Sequence, residues 1–480
     1  MITIESVDAR VTRVQTRLPF RYGIAEMTAA PHVVVEVVVT DERGGQHITQ
    51  RGWASENLPP KWFTKDPTTL FSDDLVGLVA VIEHAVDRAR GLRAPSAFAL
   101  WKALDEEQTR WAARESVPGL LAGLGTALVE RAVIDAVCRG AGIPFIEALH
   151  TGVLGFEPAV LHPELEADGW RELLPRRLPD SIAVRHTVGL GDPLVAAEAV
   201  DRPADSLPVS LAEILEFYGV DHLKVKTAGD AESDRRRLSS IFEVCDREGV
   251  VPVMTIDGNE SMRDAEHLRR WVEGLFTDDE LGRRLRGCVL AVEQPVHRDA
   301  AFAPALAPVL RDLADRGVAV IIDESDESVD AVRRAMDLGY SGGTYKGCKG
   351  VFRGLANAAL AAQRARSGAR TLMTAEDLST LPPLTVPQDL VVASAMGLTH
   401  IERNGHHYFG RFAALSPGVE EEALAAHPDL YRRDGDVVRL RVEGGCASLR
   451  SAAAAPFAFA PELTISGLQP LSLGAARSLA

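Results

Sequence analysis

Long apolar stretches are missing from this 480-residue chain. One of the longest, residues 33–39, is interrupted by Glu36 and is far too short to cross a bilayer. The first twenty residues alternate apolar and charged side chains without a continuous apolar core, so we expect no signal peptide. Together these absences predict a soluble, cytoplasmic protein that does not enter a membrane.

Paired cysteines and an excess of positive charge are also missing. The five cysteines are odd in number, scattered, and form no CxxC pair, which argues against a disulfide frame or a zinc site. The net charge of −16 argues against nucleic acid or an anionic membrane surface as the main partner. A small anionic substrate is still allowed, because local charge decides how such a molecule binds.

The chain does contain five consecutive apolar segments that each carry charge at their end. These segments are residues 222–226, 253–257, 289–293, 318–323 and 341–346, and the charges are Lys224 and Lys226, Asp257, Glu293, Asp323 and Lys346. Four are short β-prone runs typical of strands buried on both faces, and the fifth is rich in glycine. Amphipathic stretches such as residues 235–247 and 329–338 lie between them. Alternation of strand and helix predicts a parallel sheet.

The same alternation continues on both sides of this region. Residues 182–188 are predicted as an earlier strand, 371–375 as a seventh and 398–402 as an eighth. Eight units of this kind predict an α/β fold with a closed (β/α) barrel. Because catalytic groups in such barrels gather at the carboxyl ends of the strands, we expect the strand-end charges to converge.

The length of the chain predicts at least one domain besides the barrel. Residues 1–45 alternate like half-exposed antiparallel strands, and residues 70–89 and 121–138 follow with helical periodicity. Strands followed by helices predict a separate α+β domain over residues 1–145, and the barrel is expected over 146–410. Residues 192–209 contain three prolines and are expected to be an insertion on the helix side of the barrel.

Three of the strand-end charges are carboxylates: Asp257, Glu293 and Asp323. Close together they would repel one another unless a cation neutralised them or some were protonated. Oxygen ligands without histidine or cysteine favour a hard ion, most simply Mg²⁺. The alternative is that they are ordinary strand-end acids, each paired with an arginine or lysine.

The lysines suit proton transfer. Lys224 and Lys226 leave the same face of a strand, so each should lower the pKa of the other and make Lys226 a usable base. Lys346 lies four strands further round and should approach from the opposite wall. The alternative for the first pair is a solvated edge strand. With a divalent cation, this set suits removal of the proton next to a carboxylate.

These motifs, taken in order, resemble the enolase superfamily, in its muconate-lactonizing-enzyme-like and mandelate-racemase-like branch. The motifs are Lys224-Val-Lys226 followed by Gly229-Asp230 and Asp234, Ile256-Asp257-Gly-Asn259, Val292-Glu293-Gln294-Pro295, Asp323-Glu324-Ser325 and Lys346-Gly-Cys-Lys349-Gly350. The resemblance extends to about residue 410. It implies a (β/α)7β modified TIM barrel capped by the N-terminal domain and part of the C-terminal segment, residues 411–480.

The resemblance also implies roles for individual residues. Asp257, Glu293 and Asp323 would bind Mg²⁺, and Lys226 and Lys346 would be the acid/base pair, with Lys224 in support. A Gly-Gly pair usually follows the sixth-strand lysines, whereas here Lys349 is followed by a single glycine and Val351. That leaves open whether Lys346 or Lys349 faces the cavity. We favour Lys346, because Lys349 lies three residues beyond the strand end.

Substrate contacts are expected from two cap loops and from the last strands. The cap loops would be residues 19–32 and 53–63, and the expected contacts are Arg21, Tyr22, Trp53, Lys61, Asn259, Glu376, Glu402 and Asn404. The eighth strand ends in Glu402-Arg-Asn404 instead of the Asp-x-Asp pair of dipeptide epimerases, so a dipeptide substrate is not indicated. His406 and His407 are either substrate contacts or a structural pair.

The predicted function is Mg²⁺-dependent abstraction of the α-proton of a small carboxylate to give a metal-stabilised enolate. Two lysines on opposite walls favour a racemase or epimerase, whereas a dehydratase or cycloisomerase needs only one base. A barrel that binds a ligand without catalysis is the alternative. An aldolase-type phosphate barrel is not favoured, because residues 374–377 and 402–405 supply no Gly-rich phosphate loop. We expect a homo-oligomer.

Overall fold

The alternating residues at the start of the chain form a twisted antiparallel sheet. In the computed structural model, which describes residues 1–45, 47–166, 169–200 and 202–480, the sheet is built from two long strands and a shorter third. Its strands are β1 (Ile2–Tyr22), β2 (Ala25–Asp41) and β3 (Ile48–Asn57), with β4 (Arg93–Ala94) on the edge of β1. The predicted cap loop at residues 19–32 is therefore the tip of the β1–β2 hairpin, which turns at Gly23 and Ile24.

Four helices cover one face of this sheet. They are α1 (Phe71–Ala89), α2 (Ala97–Glu115), α3 (Gly119–Ala141) and α4 (Phe145–His150). The backbone of α3 lies directly on β3, where a Cβ atom at Gly52 would come within 2.2 Å of the Ala132 carbonyl oxygen. Only glycine allows that approach. Helix α3 ends at Gly142, whose φ of 64° is left-handed, whereas Gly140 still lies within the helix.

Eight parallel strands form the closed barrel that the sequence predicts. They are β5 (Ser181–Val188), β6 (His222–Lys226), β7 (Val253–Asp257), β8 (Val289–Glu293), β9 (Ala319–Ile322), β10 (Gly342–Lys346), β11 (Thr374–Glu376) and β12 (His400–Glu402). Strand β12 pairs with β5 and closes the sheet. The helices that connect them are α5 (Leu211–Tyr218), α6 (Ala231–Arg247), α7 (Ala265–Leu275), α8 (Glu280–Cys288), α9 (Ala307–Asp315), α10 (Ala331–Leu338), α11 (Val351–Arg366) and α12 (Thr385–Ala395). Seven strand-helix connections and a final strand make the predicted (β/α)7β barrel.

The C-terminal segment contacts both parts of the molecule. It follows the short helix α13 (Gly405–Tyr408), and its own elements are α14 (Val419–Ala426), β13 (Tyr431–Asp434), β14 (Val437–Leu440), β15 (Cys446–Ser448), α15 (Arg450–Ala454), β16 (Gln469–Pro470) and α16 (Leu473–Leu479). Strand β15 pairs antiparallel with β5 of the barrel, whereas β16 pairs with β1 of the cap. Strands β13 and β14 form an antiparallel hairpin.

The proline-rich segment 192–209 lies beside the barrel helices, as predicted, since Arg237 of α6 donates to the Asp192 carbonyl at 2.7 Å and Arg202 donates to Glu213 of α5 at 2.7 Å. It also packs against the cap. Arg17 of β1 donates to Asp205 at 2.8 Å and to the Pro208 carbonyl at 3.2 Å. The segment follows the carboxyl end of β5, the end that faces the cap, which explains its position. Asp201 lies outside the described residues.

No helix in the described part of the chain combines the length and apolar character that a membrane crossing needs.

Three histidines are buried together beside the first barrel strand. His186 of β5 lies 5.6 Å from His406 and 5.1 Å from His407, measured between ring centroids. Both ring nitrogens of His406, and Nδ1 of the other two, have no hydrogen-bond partner among the described residues. Burial lowers the pKa of His186 to about 3 and those of His406 and His407 well below the ordinary value. Burial of the cluster favours the structural alternative for His406 and His407, which stays a prediction.

This cluster predicts that the fold loses stability in mild acid. An unfolded histidine has a pKa of about 6.5, so below that pH the unfolded chain binds protons that the folded cluster does not. Each histidine then lowers the free energy of unfolding by up to about 1.4 kcal/mol per pH unit. The urea midpoint, followed by circular dichroism, should fall as the pH drops from 6.5 toward 4.

His406→Gln should make this decline shallower, since one of the three titrating groups is removed. His47→Gln, at an exposed site, is the matched control. An equal slope in wild type and His406→Gln would contradict the prediction.

Candidate active site

The barrel brings the predicted charges together at one end. Asp257, Glu293 and Lys346 are the last residues of their strands, and Asp323 directly follows β9. Two further acids, Glu376 and Glu402, end β11 and β12 in the same way. All of these residues, together with Lys224 and Lys226, are at most 7% exposed. The result is a buried ring of opposite charges beneath the cap.

Lys224 lies at the centre of this ring. Its Nζ is 3.0 Å from Asp257 Oδ2 and 3.1 Å from Glu293 Oε1, and it contacts Glu376 as well. Burial alone lowers the pKa of Lys224, but these three carboxylates raise it well above its ordinary value. The expectation that neighbouring lysines lower each other's pKa is therefore wrong for Lys224, because the acids around it outweigh Lys226.

Lys226 and Lys346 face one another across the cavity, since β6 and β10 lie four strands apart in a closed barrel of eight. Lys226 Nζ is 2.5 Å from Asp257 Oδ2. Lys346 Nζ is 2.8 Å from Asp323 and 3.0 Å from Glu376. Although burial lowers the pKa of Lys346, Asp323 and Glu376 raise it well above the ordinary value.

The position of Lys349 shows which lysine of the sixth strand faces the cavity. Its Nζ donates to the backbone carbonyls of Asp323 and Thr344 and to Asp323 Oδ1, each at 2.8 Å. Lys349 thus has all three protons occupied behind the strand ends, whereas Lys346 lines the cavity. Lys346 therefore points toward the cavity, as favoured from the sequence.

Three carboxylates are close enough to share one cation. Oxygen atoms of Glu293, Asp323 and Glu376 all lie within 4.8 Å of one another. Glu293 Oε2 is buried without a hydrogen-bond partner among the described residues, and burial together with Glu376 raises the pKa of Glu293 well above normal. An unpartnered oxygen in an all-carboxylate cluster fits a hard divalent cation.

Asp257, a predicted ligand, stands slightly apart from this cluster. Its Oδ2 accepts from Lys226 and its Oδ1 accepts from the backbone N–H of Asn259 at 2.7 Å. Burial raises its pKa, but Lys224 and Lys226 outweigh burial and lower it. In this arrangement Glu376, predicted from the sequence as a substrate contact, occupies the place in the cluster expected for Asp257.

The roof of the cavity is apolar and its walls are charged. The residues that line it are Phe20, Tyr22, Pro59, Trp62, Lys224, Lys226, Lys346, Glu376, Asp377, Leu378, Ser379, Glu402 and Asn404. The Trp62 ring lies 4.6 Å from Lys346 Nζ. The free volume is about 30 Å³, which holds a few water molecules at most. Lys226 also lines a second cavity of about 310 Å³, together with Lys65 and Asn259.

Several predicted cap contacts lie elsewhere. Trp53 belongs to β3, is fully buried in the cap and donates to Glu36 at 2.8 Å, so its prediction as a substrate contact is wrong. Arg21 pairs with Glu26 on the exposed side of the hairpin and does not line the cavity. Lys61 pairs with Asp74 within the cap. For Trp53 the cause is that β3 continues to Asn57, so the second cap loop covers residues 58–70.

The other predicted contacts lie at the cavity or next to it. Tyr22 lines the roof, and Glu402 and Asn404 line the wall, where Asn404 donates to Glu402 at 2.9 Å. Asn259 lies behind Lys226, with Oδ1 3.4 Å from Nζ.

Sequence reasoning does not find Lys65 or Asp377, whereas Phe20 and Trp62 lie within the predicted cap loops but are not among the named contacts. One signal is available for Lys65. Only seven of the 52 basic residues are lysines, and four of those seven, Lys224, Lys226, Lys346 and Lys349, belong to the site motifs. Because the chain otherwise uses arginine, the two lysines of one short cap loop, Lys61 and Lys65, could have been singled out as candidate site residues.

Neither a family model nor a curated protein matches this sequence. Solved structures do match over nearly the whole chain. A mandelate racemase/muconate lactonizing protein from Herpetosiphon aurantiacus superposes with a TM-score of 0.60 at 19% identity, over 97% of this chain and 99% of that chain. An enolase from Bradyrhizobium, complexed with magnesium and mandelic acid, gives a TM-score of 0.54 at 15% identity, over 93% of each chain.

A dipeptide epimerase from Enterococcus faecalis V583, complexed with Mg and the dipeptide L-Leu-L-Tyr, gives a TM-score of 0.55 at 16% identity. That match covers 93% of this chain and 99% of the other. The chain therefore has the fold of the mandelate racemase/muconate lactonizing enzyme-like proteins of the enolase superfamily, as its motifs predict.

Proposed function

We propose that this protein is a divalent-metal-dependent enzyme of the enolase superfamily that moves the α-proton of a small carboxylate. The observation that carries the proposal is the placement of Lys226 and Lys346 on opposite walls of one buried cavity, with a carboxylate cluster between them. Racemisation or epimerisation is the reaction that this geometry favours, since each lysine can serve one face of the same carbon.

The proton steps follow from that geometry. The uncharged amine of Lys226 takes the α-proton from one face, so that the C–H bond breaks and an N–H bond forms. The ammonium of Lys346 then returns a proton to the opposite face, and the product has inverted configuration. The reverse reaction uses the same two groups with their protonation states exchanged.

Glu293, Asp323 and a third carboxylate would hold the cation. When bound, a divalent cation neutralises the negative charge that develops on the substrate carboxylate as the α-proton leaves. The motif order favours Asp257 as the third ligand, whereas the clustering of oxygens favours Glu376. Lys224 contacts both acids and holds them near the cluster.

The cavity walls suggest a class of substrate. Phe20, Tyr22 and Trp62 form an aromatic roof, which suits an apolar or aromatic group on the acid. Glu402 accepts from Asn404 and Thr187 and adds a negative wall, which suits a hydroxyl or amino group on the substrate. We propose a short α-substituted carboxylic acid with an apolar side group.

A one-base reaction is the second candidate. Lys346 contacts two carboxylates and lies beneath the Trp62 ring, which favour its ammonium form. If it stays charged, Lys226 alone abstracts the proton, as in dehydration or cycloisomerisation.

Substitution of the cluster should weaken Mg²⁺ binding. We expect Glu293→Gln and Asp323→Asn each to lower the affinity at least by the roughly 10–100-fold typical for loss of an outer-shell partner, because a direct oxygen ligand is removed. Asp257→Asn and Glu376→Gln identify the third ligand, since the variant of the true ligand should lose as much. Isothermal titration calorimetry measures this, with Glu402→Gln as the control acid. Unchanged binding in both Glu293→Gln and Asp323→Asn would remove the premise of the proposal.

Proton exchange should distinguish the two reaction types. Wild-type protein with Mg²⁺ in D₂O should incorporate deuterium at the α-carbon of an acid such as mandelate, lactate or an N-acyl amino acid, and both enantiomers should appear. Lys226→Met should abolish exchange from one enantiomer and Lys346→Met exchange from the other, as followed by NMR and chiral chromatography. Elimination products that disappear only in Lys226→Met would instead indicate the one-base reaction. Absence of exchange with every acid, in protein that binds Mg²⁺, would contradict both.

A further inference from the structure

Lys65 of the second cap loop is buried against the barrel. Its Nζ lies 2.8 Å from Glu324, 2.8 Å from Glu260 and 2.9 Å from the carbonyl oxygen of Asn259. The Lys65 side chain is 9% exposed, and those of Glu260 and Glu324 at most 1%. All three partners belong to the barrel, so this ammonium joins the cap to the strand ends.

The partners of Lys65 connect it by polar contacts to Lys226, the proposed base. Glu324 Oε1 accepts from Lys65 and from Asn259 Nδ2 at 2.9 Å. Asn259 Oδ1 in turn lies 3.4 Å from Lys226 Nζ. Asn259 has a φ of 47°, a left-handed conformation that asparagine adopts more readily than most residues. A continuous set of polar contacts therefore runs from the cap loop to Lys226.

The same loop also reaches the other lysine wall. Arg298 donates to the carbonyl oxygens of Phe63 at 2.9 Å and Trp62 at 3.3 Å, and it pairs with Glu260 as well. Glu260 thus pairs both with Lys65 of the loop and with Arg298, which binds the backbone of the loop. With the loop held in this way, the Trp62 ring lies over Lys346.

The charges of this cluster are balanced only when the loop is seated. Glu260 and Glu324 are two buried carboxylates near one another, and a buried charge that loses its partner is strongly destabilising. Removing the Lys65 ammonium therefore leaves Glu324 without a cation beside Asn259. The contact can form only when the loop lies against the strand ends, so it links the position of the loop to that of Asn259.

We propose that Lys65 is a positioning residue that couples closure of the second cap loop to the placement of Lys226. When the loop closes, the ammonium binds Glu324 and Glu260 and holds Asn259 against Lys226, while Trp62 covers Lys346. The inference rests on the proposed function in taking Lys226 as a reacting group. The contacts themselves can be tested without turnover.

The test compares full-length wild type with Lys65→Met, Lys65→Gln and Lys65→Arg. Lys61→Met is the matched control, because Lys61 lies in the same loop but pairs with Asp74 and Thr69 of the cap. Hydrogen-deuterium exchange of residues 58–70 measures loop seating. Acetylation followed by mass spectrometry measures access to Lys226, with the surface residue Lys102 as internal reference.

Lys65→Met and Lys65→Gln should increase deuterium uptake in the loop and the labelling of Lys226 relative to Lys102. Lys65→Arg keeps the charge and should retain most of the protection, and Lys61→Met should resemble wild type. With an acid that exchanges its α-proton, both uncharged variants should lower kcat on the order of 10–100-fold, with a smaller change in KM.

Wild-type uptake and labelling in both uncharged variants would overturn the proposal. An effect on KM alone would also overturn it, because Lys65 would then hold the cap loop in place without positioning Lys226. The two labelling measurements need no substrate, so they decide the role of Lys65 even if no acid is turned over. Circular dichroism identifies any variant that does not fold, and Lys65→Gln retains hydrogen-bond donors if Lys65→Met fails to fold.

Discussion

Burial of several carboxylates at one end of a parallel barrel is the constraint on which the rest of this structure depends. Parallel strands that end at the same level bring their last side chains together, and five strands here end in or next to an acid. Carboxylates without partners in such a place would disfavour the folded state. Lys224 offsets this repulsion from the centre, where it contacts Asp257, Glu293 and Glu376. The fold thus holds a group of acids close together, which is also what a hard cation requires.

The cap completes this arrangement. It excludes water from the charged end of the barrel, and electrostatic interactions are stronger in the resulting low-dielectric space. The aromatic roof comes from the hairpin tip and from the loop after β3, two segments that are distant in sequence from the barrel. Apolar contacts alone would not fix the position of the roof over the lysines. The polar contacts of Lys65 and Arg298 fix that position. Charge compensation therefore sets both the floor of the cavity and the position of its roof.

The barrel half of the site can be predicted from the sequence because it is periodic. Strand, charge and helix recur at similar spacing, and this spacing alone assigns Asp257, Glu293, Asp323 and Lys346 to strand ends. The cap half has no such period. The family resemblance places Trp53 at the start of a cap loop, but backbone pairing with β2 extends the strand past it. The role of Lys65 cannot be predicted either, since its partners lie about two hundred or more residues away in the chain.

In the proposed enzyme, the identity of the third cation ligand bears directly on which lysine would act as the base. A lysine beside an unengaged carboxylate is stabilised as an ammonium, whereas one whose carboxylate is engaged elsewhere loses that stabilisation. Binding of Asp257 to the cation would remove the ion-pair partner of Lys226, whose only carboxylate partner among the described residues is Asp257. Binding of Asp323 and Glu376 to the cation would instead remove the ion-pair partners of Lys346, which contacts both. A racemase needs one lysine charged and the other neutral in each direction, so the choice between Asp257 and Glu376 and the choice of base are one question.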